Sequence, residues 1–95
     1  MDDRRKRIRF RAWRRGFREI DLILGAFADA HVAELDESGL AEFERLLDTP
    51  DQDVYDWIVG RIRPPADQDG PVLALIRSFR YFARTAAGQN AQGPA

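Results

Sequence analysis

The amino-acid sequence predicts an all-α protein, a compact bundle of about five short helices. Apolar residues recur at steps of three and four along most of the chain, and no useful stretch alternates apolar with polar as a strand does. Glycine and proline cluster at Gly16, Gly39, Thr49-Pro50, Gly60, Pro64-Pro65 and Gly70-Pro71, and so divide the chain into helix-length pieces. A length of 95 residues holds one small domain with a modest core. We expect that helical domain over residues 1–87. A tail follows over 88–95, where GQNAQGPA is small and polar.

The first helix is expected over residues 4–14, with Ile8, Phe10, Ala12 and Trp13 as a short apolar face and Gly16 as its break. Residues 17–31 form the second, whose stripe is Phe17, Ile20, Ile23, Leu24, Phe27 and His31. Gly25 costs that helix ~1 kcal/mol against alanine, a cost explained if another helix comes close. Residues 37–48 form the third, with Asp36 as N-cap. Leu40, Phe43, Leu46 and Leu47 face inward, and Glu37, Glu42, Glu44 and Arg45 face water. Residues 52–62 form the fourth, capped by Asp51 in preference to Thr49 and carrying Val54, Trp57 and Ile58 inward. Residues 63–70 connect it to a fifth helix over 71–86, opened by Pro71, whose missing N–H costs nothing at a first helical position. Its stripe is Val72, Leu75, Ile76, Phe79 and Phe82, with Arg77, Arg80 and Arg84 on another face. One core is expected to unite Leu24, Phe27, Leu40, Phe43, Leu47, Ile58, Leu75 and Phe79.

Composition narrows the function classes. The absence of cysteine excludes a disulfide scaffold, a thiolate metal site and a cysteine nucleophile. No run approaches the ~20 apolar residues of a membrane helix, so no membrane insertion is expected. The net charge of −1 conceals a polarised chain: residues 1–19 carry +6, residues 20–69 carry −10 and residues 70–95 carry +3. Asp2 and Asp3 at the start, with no apolar stretch after the arginines, argue against a secretory signal. The same acids, with no serine nearby, argue against a transit peptide. A cytoplasmic location is expected.

Few residues carry chemistry. His31 is the single histidine and lies in the last turn of the second helix, where packing or a helix-end charge explains it. Asp48, Asp51, Asp53 and Asp56 lack the glycine and glutamate of a calcium loop, and no metal site is expected. Neither GxGxxG nor GxxxxGK[ST] occurs. The segment RRKRIRFRAWRRGFRE, residues 4–19, suits phosphates through its arginines and bases through Phe10, Trp13 and Phe17. Its alternative is a basic amphipathic helix whose aromatics pack inward, and the acidic middle would repel a polyanion. Arg15-Gly16-Phe17-Arg18-Glu19 reads as a helix junction. Gly16 opens backbone angles closed to other residues and removes side-chain bulk, so it can turn the chain and let another backbone approach, and Glu19 favours the next helix start.

That junction resembles the RGxxE motif of the succinate dehydrogenase FAD assembly factors, the small flavinylation-promoting proteins of bacteria and mitochondria. The likeness runs through RRGFREIDLILGAF, with Arg14, Arg15, Gly16, Glu19, Asp21 and Leu22 in family-like places, and through FERLLDTPDQDVYDWIVGR, residues 43–61. It spans roughly residues 5–61. Phe17 stands where the family more often has methionine. The resemblance implies a five-helix bundle that binds the flavoprotein subunit of succinate dehydrogenase, and in some bacteria that of fumarate reductase. Such a factor promotes covalent attachment of FAD to a histidine of that client. It implies no catalytic residue and no stably bound cofactor here, since FAD belongs to the client, and no nucleic-acid partner. Arg15, Gly16 and Glu19 would face the client, with Phe17 in the contact and Arg14, Arg18 and Asp21 around it. A small nucleic-acid-binding regulator using the basic N-terminal helix is the alternative.

Overall fold

Two aspartates start two of the helices. The Asp2 carboxylate accepts from the Arg5 backbone N–H at 2.8 Å and opens α1, Asp3–Ala12. Asp36 accepts from the Gly39 N–H at 2.8 Å and opens α3, Glu37–Leu47, as the sequence predicts. Between them lies α2, Arg18–His31, entered from an extended Phe17 and carrying Glu19 and Asp21 in its first turn. A single 3-10 turn, Val32–Glu34, leads from α2 toward α3. After α4, Asp51–Ile58, a second 3-10 turn at Ala66–Gln68 precedes α5, which occupies 71–79. The computed structural model describes residues 1–79. The expectations for the end of the last helix, with Arg80, Phe82 and Arg84, and for the 88–95 tail lie outside the described residues.

The sequence places the ends of α1 and α4 too late. Helix α1 stops at Ala12, and α4 stops at Ile58 because Gly60 turns left-handed at φ 81°. The Gly60 N–H then bonds to Trp57 O at 3.3 Å and the Arg61 N–H to Asp56 O at 2.9 Å. This pair of bonds is the Schellman stop, which satisfies two carbonyls that the helix end would otherwise leave free. The start of α4 also differs. Asp51 is its first residue rather than its cap; Pro50 holds the cap position, and Asp51 is drawn elsewhere.

The described residues are all-helical, and one core runs through them. Ile8 and Ala12 of α1 meet Leu24 and Phe27 of α2, Phe43 and Leu46 of α3, Val54 and Trp57 of α4, and Ile76 of α5. Phe27 stands at its centre, edge-to-face with Phe43 at 5.5 Å and with the half-buried Phe79 at 5.8 Å. Of the eight residues assigned to the core from spacing, Leu75 does not belong: it is 48% exposed, and Leu73 is buried instead. The two leucines flank the Val72–Ile76 line on opposite sides, and the docking of α5 selects one. Glu42 is the second correction, for it is buried rather than facing water. Its two carboxylate oxygens accept from the backbone N–H groups of Val72 at 3.1 Å and Leu73 at 3.0 Å. A side chain of α3 thus satisfies free amides of α5 from outside that helix. Gly70 fits the same feature, because a Cβ there would occupy the space of the Glu42 carboxylate.

Gly25 admits a side chain rather than a helix backbone. The Trp13 indole lies where its Cβ would be, and the Trp13 Nε1–H donates to Asp29 at 3.2 Å. His31 packs against aromatics, 5.0 Å from the Phe27 ring and 5.6 Å from Phe79.

Candidate functional site

The α1–α2 junction, residues 13–17, sits beside the α3–α4 connection. Arginines bind the two together. Arg11 reaches Asp48 at 2.6 Å, and Arg15 reaches Asp51 at 2.5 Å. Arg15 does more: its Nη1 donates to Leu47 O at 2.6 Å and its Nη2 to Thr49 O at 3.0 Å. Leu47 is the last residue of α3 and Thr49 lies just past its C-cap Asp48, so the guanidinium brings positive charge to the acceptor-rich C-terminus of that helix. Only 9% of the Arg15 side chain is exposed. Its backbone N–H donates to Asp21 Oδ1 at 2.5 Å, which holds the first turn of α2 against the junction.

Gly16 is held by the same acid. Its N–H donates to Asp51 Oδ2, and a Cβ on Gly16 would collide with that oxygen. Among the described residues only Gly60 has a positive φ, so Gly16 is required for space and not for handedness. Asp51 therefore serves two residues of the motif at once, which is why it leaves the cap position of α4. A carboxylate with two oxygens committed to a guanidinium and an amide makes charge-assisted bonds, the stronger kind.

The expected site residues divide by direction. Arg15 and Asp21 are engaged internally, and Phe17 lies half-buried with its ring edge-to-face on Tyr55 at 5.2 Å. Arg14, Gly16, Arg18 and Glu19 are exposed. Arg14, Arg15, Gly16, Asp48, Thr49, Pro50 and Asp51 line a shallow depression of about 530 Å³. Asp51 and Thr49 escaped the sequence reading of the site. The available signal was their place in the second family-like segment, residues 43–61.

The basic segment is mostly engaged by the protein's own acids. Arg4 bonds to both carboxylate oxygens of Glu44, at 2.7 and 3.3 Å, and to Glu37 at 2.5 Å. The Arg4 guanidinium holds the Glu44 carboxyl below its ordinary pKa, while Glu44 and then Glu37 hold Arg4 above its own. Arg5 donates to Val32 O and Leu35 O, at 3.0 and 2.6 Å, and pairs with Asp2 at 2.5 Å. The Arg5 amide and guanidinium lower the Asp2 pKa. Arg9 pairs with Asp29 at 3.1 Å. Among the described residues no group of three or more His, Cys, Asp or Glu could hold a metal ion, and no helix is long and apolar enough to cross a membrane.

Residues 6–80 match the profile of a family described as Sdh5, flavinator of succinate dehydrogenase. The chain belongs to this family. It is 36% identical over 70 residues to the FAD assembly factor SdhE of Acetobacter pasteurianus, covering 74% of this chain and 64% of that protein. Two mitochondrial proteins named succinate dehydrogenase assembly factor 2 are also similar. That of Dictyostelium discoideum is 36% identical over 73 residues, covering 77% of this chain and 52% of its own length. That of Scheffersomyces stipitis is 42% identical over 81 residues, covering 81% and 54%. The chain thus spans between about half and two-thirds of these relatives. In this member of the Sdh5 family the matched residues include the junction, the Asp51 clamp and the Glu42 link to α5.

Proposed function

We propose that this chain is an assembly factor that binds the flavoprotein subunit of succinate dehydrogenase and promotes covalent attachment of FAD to it. Membership of the Sdh5 family over residues 6–80 carries this reading. The flavoprotein subunit of fumarate reductase is a second client of the same chemistry, and the cytoplasm is the location that goes with it.

The factor acts as a binding partner and not as an enzyme. FAD and the accepting histidine both belong to the client, and His31 serves the core of the factor. Binding one client conformation better than another shifts the client's population by the difference in affinity. The favoured conformation brings FAD to the histidine, which is catalysis by orientation. The contact surface is the outer side of the α1–α2 junction: Glu19, Arg18 and Arg14, with the Gly16 backbone exposed among them. Arg15 contributes from inside, because its bonds to Leu47, Thr49 and Asp51 fix the junction before the client arrives. The polarised charge of the chain orients the encounter.

The test is covalent flavinylation of the client, read as flavin fluorescence of the denatured subunit on a gel, with circular dichroism of each variant. Glu19→Ala leaves the fold intact, since an exposed first-turn carboxylate contributes only ~0.3–1 kcal/mol, and impairs flavin attachment. Gly16→Arg impairs it more, because its side chain displaces the Asp51 carboxylate. The exposed Asp67→Ala, away from the junction, is the neutral control. Normal flavin attachment with folded Glu19→Ala and Gly16→Arg variants rejects the surface. Unfolding of both makes the junction structural only.

A further inference from the structure

Part of the basic segment remains outside the internal network. Arg4, Arg5, Arg9, Arg11 and Arg15 each meet a carboxylate. Lys6, Arg7, Arg14 and Arg18 are exposed, and among the described residues none of them pairs with an acid. Lys6, Phe10 and Arg14 follow one another at steps of four, away from the buried Ile8 and Ala12. Phe10 is 58% exposed, and the Arg14 guanidinium carbon lies 3.7 Å over its ring. Lys6, Arg9, Phe10, Trp13 and Arg14 line a groove of about 270 Å³. Arg14 lines both this groove and the depression at Arg15 and Gly16, so the two surfaces are continuous.

An exposed aromatic stacked under a guanidinium, flanked by a second cation, suits a ligand that is acidic and partly apolar. A polyanion suits it poorly. Little here would neutralise one: among the described residues the unpaired cations on this side of α1 and its end are Lys6, Arg7 and Arg14, and Asp29 borders the face through its bonds to Arg9 and Trp13. We propose that the Lys6–Phe10–Arg14 face of α1 is a second contact area for the client, taking an acidic segment of the flavoprotein subunit. Carboxylates of that segment meet Lys6 and Arg14, and an apolar side chain covers Phe10. The proposal rests on the client assignment above.

The experiment measures binding rates of the full chain to the purified flavoprotein subunit across a salt series. The variants are Lys6→Glu/Arg14→Glu, Phe10→Ala, Glu19→Ala and the control Arg45→Glu/Arg63→Glu, which makes the same charge change elsewhere on the exposed surface. Melting temperatures accompany each. The α1 double variant is expected to slow association about tenfold at low salt and to flatten the salt dependence, as steering charges do. Phe10→Ala is expected to speed dissociation about five- to tenfold, as loss of an aromatic contact does. If both α1 variants match the parent chain while Glu19→Ala binds weakly, the second contact area is overturned and the client assignment stands. An equal effect of the control overturns it too, because net charge then explains the rates. Absence of any binding by the parent chain removes the client assignment and the proposal together. Tight binding of a single-stranded oligonucleotide, lost in the α1 variants while their client rates stay unchanged, overturns it in favour of nucleic acid.

Discussion

Glu42 and Asp51 have in common that each bonds to groups far outside its own helix. Glu42 holds the Val72 and Leu73 amides, and Asp51 holds Gly16 and Arg15. Removing Glu42 leaves two buried N–H groups without an acceptor. Glu42→Ala is therefore expected to lower stability by about 2–3 kcal/mol, the cost of stranding buried donors that had a charged acceptor. Glu42→Gln retains one oxygen acceptor and is expected to lose less. Urea denaturation measures both, and a midpoint unchanged in Glu42→Ala would contradict the capping role. Spacing alone places Glu42 on the water face, because glutamate at an off-stripe position is usually solvated and the donors it serves lie 30 and 31 residues away.

At the scale of the element, α1 is seated in the core through Ile8 and Ala12 and tied to its neighbours by its cations. Arg4 to Glu44 is the bidentate link from α1 to α3. The Arg4 guanidinium holds the Glu44 carboxyl below its ordinary value in the folded chain, so folding favours its ionised form. That contribution is complete above the unfolded value, declines as pH falls through the lower folded value, and is absent below both. Both side chains are about a third exposed, so solvent screens the pair and its contribution is small. Glu44→Gln is expected to be less stable than the parent chain at pH 7 and to converge with it as pH falls below the folded value. Paired urea curves at neutral and acid pH test this, and a gap that persists undiminished at low pH would point to lost packing instead.

The whole molecule has a small core around Phe27, Phe43 and the residues they touch. Phe43 is wholly buried, and Phe43→Ala is expected to cost about 3–5 kcal/mol through lost burial and the cavity left behind. A domain of this size has only about 5–15 kcal/mol in total. At roughly 4–8 °C per kcal/mol, the melting temperature falls by at least about 12 °C. A thermal melt followed by circular dichroism checks it, and an unchanged midpoint would remove Phe43 from the core. The charge pattern also resolves at this scale: the basic head and acidic middle meet across α1–α2 and α1–α3 contacts, and of the exposed cations left over, Lys6 and Arg7 lie on α1 and Arg14 and Arg18 at the junction.

Helix identity, the Asp36 cap, the start at Pro71 and the RGxxE junction were legible in the chain because each depends on neighbours within about one helical turn. Composition and spacing also disclosed most of the core, since a stripe that repeats every three or four residues must face something apolar. Tertiary structure alone decided that Leu73 rather than Leu75 turns inward, that Glu42 caps a distant helix, and that Arg15 braces the site from within. Those outcomes depend on groups about 30 residues or more apart in the chain, such as Gly16 and Asp51, separated by 35. Local spacing sets which faces a helix offers. Which face is used, and which polar groups follow it into the interior, is set by the packing of the other helices and by the need of every buried donor for an acceptor.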